Sequence, residues 1–520
     1  MDDLRAKAHN LKVWLAGTVS RAAFPPAHDL YADATDQDAS TRNPVVVIPG
    51  IMGSRLRDRA SGRVLWGGKD KQEFADPTDP EQLRMISLPL DPHGAPLRDR
   101  VDYTMPDGSI DQLKAKVFGF PVSVHAYGPI LQMLGVGGFF MDQNKGKNKL
   151  ALNYSHRSIA NCFEFAYDWR RSVVDNVERL DAFIKGVLEF AAYDAGENAR
   201  DNLRVDIVAH SMAGLLTRYY LRYGTQKLPD DGSLPELDWS GGNKVEHAIL
   251  VGTPSAGSHA SLERLMTGLP ESPATPHYDP AVLCTYPSIY QLLPRARHKP
   301  YIDEATGESI DDLMEPECWI DHQWGLADPT CEPVIEHMLP NIRDRGDRRR
   351  IAIDHMSKCL DEAKRFHAAL DVPANAPPHV ALHLFAGDGV LTPSLASVGV
   401  GRNSYKVLER DYGDGTVLRS SALMDERRGT TGQPRVVTPI RWDAVTFVPT
   451  DHMLLTRHPT FVNNALYILL EKARPDCGFR GESEAEFKER AAAAAGHAPA
   501  APSQSDRLDN EESSAESQEA

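Results

Sequence analysis

Hydrophobic positions along the chain follow two alternating periods. Val45, Val46, Val47 and Ile48 form a continuous apolar run that ends at Pro49-Gly50, the pattern of a strand buried on both faces. Similar runs recur at Phe163 to Tyr167, at 204–209, at 245–252 and at 379–386. Between them the spacing becomes helical: Val174, Val177, Leu180, Ile184, Val187 and Leu188 mark one face, and Leu215, Leu216, Tyr219 and Tyr220 another. Strand followed by helix predicts a mostly parallel sheet with crossover helices on both faces. Two later strands, Tyr405 to Leu408 and Ala444 to Val448, and a helix through Phe461, Leu466, Leu469 and Leu470 complete the series.

The interruptions divide the chain. Residues 1–42 read as a short helix, with Leu4, Leu11, Leu15 and Val19 at helical spacing, followed by a polar arm that packs on the body or lies on a lipid surface. The first part of the core spans 43–253 and holds an irregular insertion at about 60–125, rich in Pro, Gly and Asp, and a short helix at His125 to Gly138. After Val251-Gly252-Thr253-Pro254 the alternation stops for over a hundred residues. This 254–375 segment is expected to form a cap or lid, although its Leu262, Leu265, Met266 and Leu269 stripe taken alone suits ordinary core better. The second part of the core covers 376–475, and beyond 480 the Ala, Glu, Ser and Pro composition predicts a disordered tail.

Composition narrows the possibilities. The 520 residues, 41% hydrophobic and 25% charged, are those of a folded globular protein. A net charge of -16 argues against sequence-independent nucleic-acid binding and against purely electrostatic adhesion to anionic membranes. No stretch reads as a signal peptide or a transmembrane segment, so a cytoplasmic location is expected. Six cysteines without a framework pattern fit reduced thiols. Cys318, His322, Cys331 and His337 cluster in sequence, but their spacing matches no zinc motif, so no metal and no cofactor is expected.

The chemistry centres on Val205 to Leu215, where a strand pattern turns through Ala209-His210-Ser211-Met212-Ala213-Gly214 into a helical one. A serine at such a turn is held out at the end of a strand beside the first amides of a helix, the setting of a nucleophile elbow. Its hydroxyl needs a base, and the base needs a carboxylate to orient it. In an α/β-hydrolase these follow in the order Ser, acid, His, on loops leaving strands. Asp414, in Gly413-Asp414-Gly415-Thr416-Val417, and His452, in Thr450-Asp451-His452-Met453, stand in that order. Asp388 is the rival acid; His458, before Pro459, suits a helix cap, and His355 suits a packed or surface position. The Pro49-Gly50-Ile51-Met52-Gly53-Ser54 turn can supply the Ile51 amide to an oxyanion, with Met212 as second donor. It lacks the lysine of a phosphate-binding loop.

Six blocks in register now resemble one family. Pro44 to Ser54, Tyr167-Asp168-Trp169-Arg170, Ala209 to Gly214, Gly252 to Ser258, Tyr286 to Pro294 and Gly413 to Val417 look like the lecithin:cholesterol acyltransferase family, from about 44 to 472. The resemblance implies an α/β-hydrolase core with cap and lid elements. It implies a serine enzyme that takes an acyl group from a glycerophospholipid and passes it to an alcohol or to water. By position Ser211 resembles the family nucleophile, Asp414 the acid, His452 the base, and Ile51 and Met212 the oxyanion donors. The chain departs from the family at Ala213, where glycine is usual.

The expectation is therefore a serine-dependent lipid acyl-ester enzyme, an O-acyltransferase or phospholipase working through an acyl-enzyme. Its partner is a lipid or acyl-ester substrate, with peripheral contact to a lipid surface left open. A general lipase or carboxylesterase, and a non-catalytic lipid-binding protein on a hydrolase fold, are the alternatives.

Overall fold

The computed structural model describes residues 42–67, 73–109, 162–195, 203–272, 275–427 and 435–471, and the backbone of four short strands between 114 and 151. The N-terminal helix expected within 1–42, the helix expected at His125 to Gly138 and the tail expected beyond 480 lie outside these residues.

A six-stranded sheet forms the centre. Its strands are β1 (Val45–Ile48), β2 (Cys162–Glu164), β3 (Val205–His210), β4 (Val245–Val251), β5 (Ala381–Gly387) and β6 (Ala444–Val448), in the order β6-β5-β4-β3-β1-β2. Every neighbouring pair is parallel. One row of partners, Ile48, Ala209, Leu250, Leu384 and Val445, crosses five strands, so the loops leaving their C-terminal ends emerge along one edge. β1, β3 and β4 are buried along their whole length, which explains their largely apolar sequences. With helices α1 (Val177–Ala195) and α2 (Met212–Tyr223) as crossovers, this is the α/β-hydrolase fold. The chain leaves β1 toward β2 on one side and resumes at β3 on the other, so the β1/β3 gap is where an open sheet of this kind offers a crevice.

One strand differs from the sequence reading. Tyr405 to Leu408 was expected in the core series, but Lys406–Gly413 pairs antiparallel with Val390–Val398 in a hairpin outside the central sheet. The reason is polarity: Lys406, Glu409 and Arg410 are exposed, and with Asp411 they cannot enter a sheet covered on both faces. Tyr301–Asp303, from the segment between β4 and β5, runs parallel to Val390–Val398, so that segment and the hairpin share a sheet.

The long segment between β4 and β5 contains α3 (His259–Thr267) and α4 (Arg345–Asp371). Its attachment to the core is polar and buried. Trp169 Oc=O accepts from Ser288 Oγ at 2.5 Å, Gln291 accepts from the Val173 amide at 2.8 Å, and Gln291 donates to Ser172 Oγ at 2.9 Å. Arg170, fully buried, donates to Asp168 at 2.8 and 3.0 Å, to Asp102 at 2.5 Å and to the Ile86 carbonyl at 2.9 Å. The Ile86 carbonyl also accepts from Tyr286 Oη at 3.0 Å. On the other side, buried Arg218 and Arg222 of α2 donate to the Leu370 and Val372 carbonyls at the end of α4, where a cation suits the helix dipole.

Removing one partner from a buried charge network leaves the others uncompensated. Arg170→Met, which leaves Asp168 and Asp102 with only the more exposed Arg171 as cationic partner, is expected to cost about 3–5 kcal/mol in urea unfolding. A loss below about 1 kcal/mol, the range of an exposed ion pair, would show that the network does not hold the segment down.

Candidate active site

β3 ends at His210 and α2 begins at Met212, leaving Ser211 alone at the turn. Its backbone sits at φ 56°, ψ -125°, a region that serine adopts only when the surroundings enforce it. Enforcement comes from both sides: the Ser211 amide donates to the Val251 carbonyl of β4 at 2.8 Å, and the Ser211 carbonyl accepts from Gly214 N–H at 3.0 Å. Ala213 is fully buried. The tight glycine position is Gly214, where a Cβ would fall 1.9 Å from Thr253 Oγ1. The family pattern's small residue is thus needed one place later in this chain.

The structure brings Ser211, His452 and Asp414 into one hydrogen-bonded line. His452 Nε2 lies 3.0 Å from Ser211 Oγ, and His452 Nδ1 lies 2.7 Å from Asp414 Oδ2. A carboxylate only accepts, so Nδ1 carries the proton and Nε2 is left to accept from the serine hydroxyl. Asp414 Oδ1 takes the amides of Thr416 at 2.9 Å and Val417 at 2.6 Å, and the Asp414 carbonyl accepts from the His452 amide at 2.8 Å. The carboxylate therefore cannot turn away from the imidazole. All three side chains are buried, Asp414 at 1% exposure.

Asp414 reaches this place by a route that was not read from the sequence. It follows the hairpin, not a core strand, and returns beside the start of Val390–Val398 through a bridge between Asp414 and Val390. Asp388, which follows β5 directly, points elsewhere and has Arg419 Nη1 at 3.9 Å. The other rivals are accounted for locally. His458 caps α5 (Pro459–Leu466) by accepting from the Thr460 amide at 3.2 Å. His355 is fully buried between Arg100 Nη1 and the Thr285 carbonyl, and burial first, then Arg100, lowers its pKa to about 3. Cys318 and His322 are neighbours, with His322 Nε2 on Asp303 at 2.8 Å, whereas Cys331 lies against Asp279 and the Gly325 carbonyl. Among the described residues no three His, Cys, Asp or Glu side chains are grouped as metal ligands.

His210 contributes something that was missed. Its Nε2–H donates to the His452 carbonyl at 3.1 Å, and the two rings lie 4.8 Å apart. Burial, and then the neighbouring His452, lower its pKa to about 3, so it stays neutral and cannot compete for the serine proton. Only its position directly before the serine could have signalled this role.

Ile51 and Met52 stand with Ser211 around a narrow cavity. The wall is chiefly apolar, from Pro254, Leu283, Ile289, Leu292 and Val417. Two indoles set the 49–54 turn: Trp66 Nε1 donates to the Met52 carbonyl at 2.9 Å and Trp169 Nε1 to the Ser54 carbonyl at 3.0 Å. Met52 is held at φ 60°. Met212 is the first residue of α2, where an amide has no acceptor within the helix.

Residues 152–298 match the family model described as Lecithin:cholesterol acyltransferase. Over this stretch the chain is similar to that family. The lecithin:cholesterol acyltransferase-like stretch contains Ser211, the Tyr167 to Arg170 clamp and the Tyr286 to Leu293 segment clamped by it; Ile51, Asp414 and His452 lie outside it. The match supports, at the level of class, an enzyme of lipid acyl esters. Among solved structures the chain is similar to "The crystal structure of Tle4-Tli4 complex", with a TM-score of 0.49 and 14% identity, covering 82% of this chain and 97% of that one. No curated protein matches the chain.

Gly50 backs the serine so closely that a Cβ there would fall 2.9 Å from Ser211 Cβ and 3.3 Å from the His210 carbonyl. Gly50→Ala is expected to move Ser211 off His452 and slow its labelling by a fluorophosphonate about 10- to 100-fold, with the circular dichroism spectrum kept. Labelling at the wild-type rate would show that the turn accepts the methyl.

Proposed function

We propose that the protein is a serine-dependent lipid acyl-ester enzyme, an O-acyltransferase or phospholipase that works through an acyl-enzyme. The observation that carries this reading is the unbroken Asp414–His452–Ser211 hydrogen-bonded line opening onto a chiefly apolar cavity. Ser211 Oγ attacks the ester carbonyl while His452 Nε2 takes its proton. Asp414 keeps the imidazole in the required tautomer and stabilises the imidazolium that forms. The Ile51 and Met212 amides receive the developing oxyanion. Collapse returns the proton from His452 to the leaving alcohol and leaves the acyl group on Ser211. Water or a second alcohol then attacks, again with His452 as base.

The balance between hydrolysis and transfer depends on water reaching the acyl-enzyme beneath the segment between β4 and β5. A general lipase or carboxylesterase would use the same three residues with a less selective donor. The family match and the apolar wall favour a lipid donor. No helix among the described residues is long and apolar enough to cross a membrane. The five described cysteines are unpaired and buried, which fits the reducing cytoplasm as its place of action.

Turnover of a phospholipid by variants of the full chain tests the assignment. Ser211→Ala, His452→Ala and Asp414→Asn are each expected to lose on the order of 10³-fold or more in kcat, while Asp388→Asn loses little. A large loss in Asp388→Asn with Asp414→Asn active would transfer the acid's role to Asp388. The same assay with and without a long-chain alcohol or sterol separates the products: acyl ester marks transfer, and free fatty acid alone marks a phospholipase.

A further inference from the structure

We propose that a second cavity, separate from the one at Ser211, is a binding site for an aliphatic ammonium ion held between Asp175 and Glu362. This cavity encloses about 400 Å³ where α4 meets the loop before α1 and the chain that follows α2, and it shares no lining residue with the serine cavity. Volumes of this order suit a small molecule. The site does not depend on the lipid acyl-ester reading.

The charges of the wall do not cancel. Each cation that lines it has a carboxylate of its own: Arg98 is bound by Asp230 at 2.5 and 2.8 Å, Lys227 by Glu178 at 3.3 Å, Lys358 by Asp354 at 2.7 Å and Arg365 by Asp361 at 2.9 Å. Asp175 and Glu362 are left over, and neither has an ion-pair partner within reach among the described residues. The Ser172 hydroxyl donates to Glu362, but the Asp175 carboxylate accepts no hydrogen bond from the described residues. Burial raises the pKa of both above the ordinary carboxylate range. For Glu362 the charge of Asp175 adds to this, against Ser172 and Arg365; for Asp175 burial outweighs Arg171, Lys227 and Arg98.

Two recessed carboxylates without a counter-charge ask for a donor-only cation. A primary ammonium has three N–H donors and no acceptor, so one ion can serve both groups through charge-assisted hydrogen bonds. Leu97, Val174 and Leu228 line the same cavity and give a short alkyl chain an apolar surface. A divalent metal fits less well, since it takes six or more oxygens and no third His, Cys, Asp or Glu stands with the pair among the described residues. An anion would meet the two carboxylates while every lining cation is already paired. Binding also carries a signature. The pair keeps a proton near neutral pH, and an ammonium ion favours the ionised form, so the proton passes to the buffer.

Calorimetric titration of the full chain with hexylamine, hexanol and hexanoate tests the site, because the three probes share one alkyl chain and differ in charge. We expect hexylamine to bind with a Kd of about 1 mM or tighter, and the other two at least roughly 10-fold more weakly. At about pH 6.5 the heat of hexylamine binding should differ between phosphate and ACES buffers in the sense of proton release. Asp175→Asn and Glu362→Gln should each weaken hexylamine roughly 10-fold or more and reduce that difference. Neither variant should lower the urea midpoint at about pH 8, where each removes an uncompensated charge. Equal binding of the three probes would make this a plain apolar cavity, and preference for hexanoate would give it to the cations. Either result, no binding of hexylamine by the wild-type chain, or no proton release, would overturn the assignment.

Discussion

The functional edge of this molecule depends on one buried hydrogen bond, between Asp414 and His452. Without the carboxylate the imidazole has no fixed tautomer and no reason to keep Nε2 toward Ser211. Three residues far apart in sequence meet there because the parallel strands end in one row and release their loops at the same edge. The base is fixed by more than its acid. Its amide donates to the Asp414 carbonyl, and its carbonyl accepts from His210, so backbone and ring are held by the two residues that flank it in space. In the proposed mechanism, pre-set geometry of this kind lets a neutral serine be activated without reorganisation at the moment of reaction.

A second set of contacts ties the cavity to the same edge. Trp66 and Trp169 fix the turn that carries Ile51 and Met52, and Trp169 also accepts Ser288 from the segment between β4 and β5. Its neighbour Arg170 joins Asp168, Asp102 and the Ile86 carbonyl, which in turn holds Tyr286. Two of the sequence blocks that resemble the family, Tyr167 to Arg170 and Tyr286 to Pro294, are therefore two sides of one joint. Their effect on chemistry is indirect: they position the apolar wall, including Leu292 and Ile289, over the serine.

Much of this was legible in the sequence, for identifiable reasons. Strands buried on both faces betray themselves as largely apolar runs, so β1, β3, β4 and β5 were read where they lie. The serine turn was read because so few residues fit it, and Asp414 and His452 because chain order on this fold is restrictive. The hairpin was not, since a short run such as Tyr405 to Leu408 has no period of its own. The charges that follow it at Glu409, Arg410 and Asp411 were the available signal for an exposed strand. The role of His210 and the joint at Arg170 depend chiefly on contacts between residues 68 to 242 positions apart, and local pattern carries no trace of these. Gly214 shows the reverse: its demand for glycine is local in sequence but is set by Thr253 on the next strand's loop.

The central claim is that Ser211 carries the acyl group, and mass spectrometry of the chain quenched in acid during phospholipid turnover tests it most directly. The account predicts a fraction of the protein heavier by one acyl group, with the added mass on the peptide containing Ser211, and none in Ser211→Ala. Turnover with no acylated protein even in the slowed Asp414→Asn variant, or an acyl group on any other residue, would contradict it.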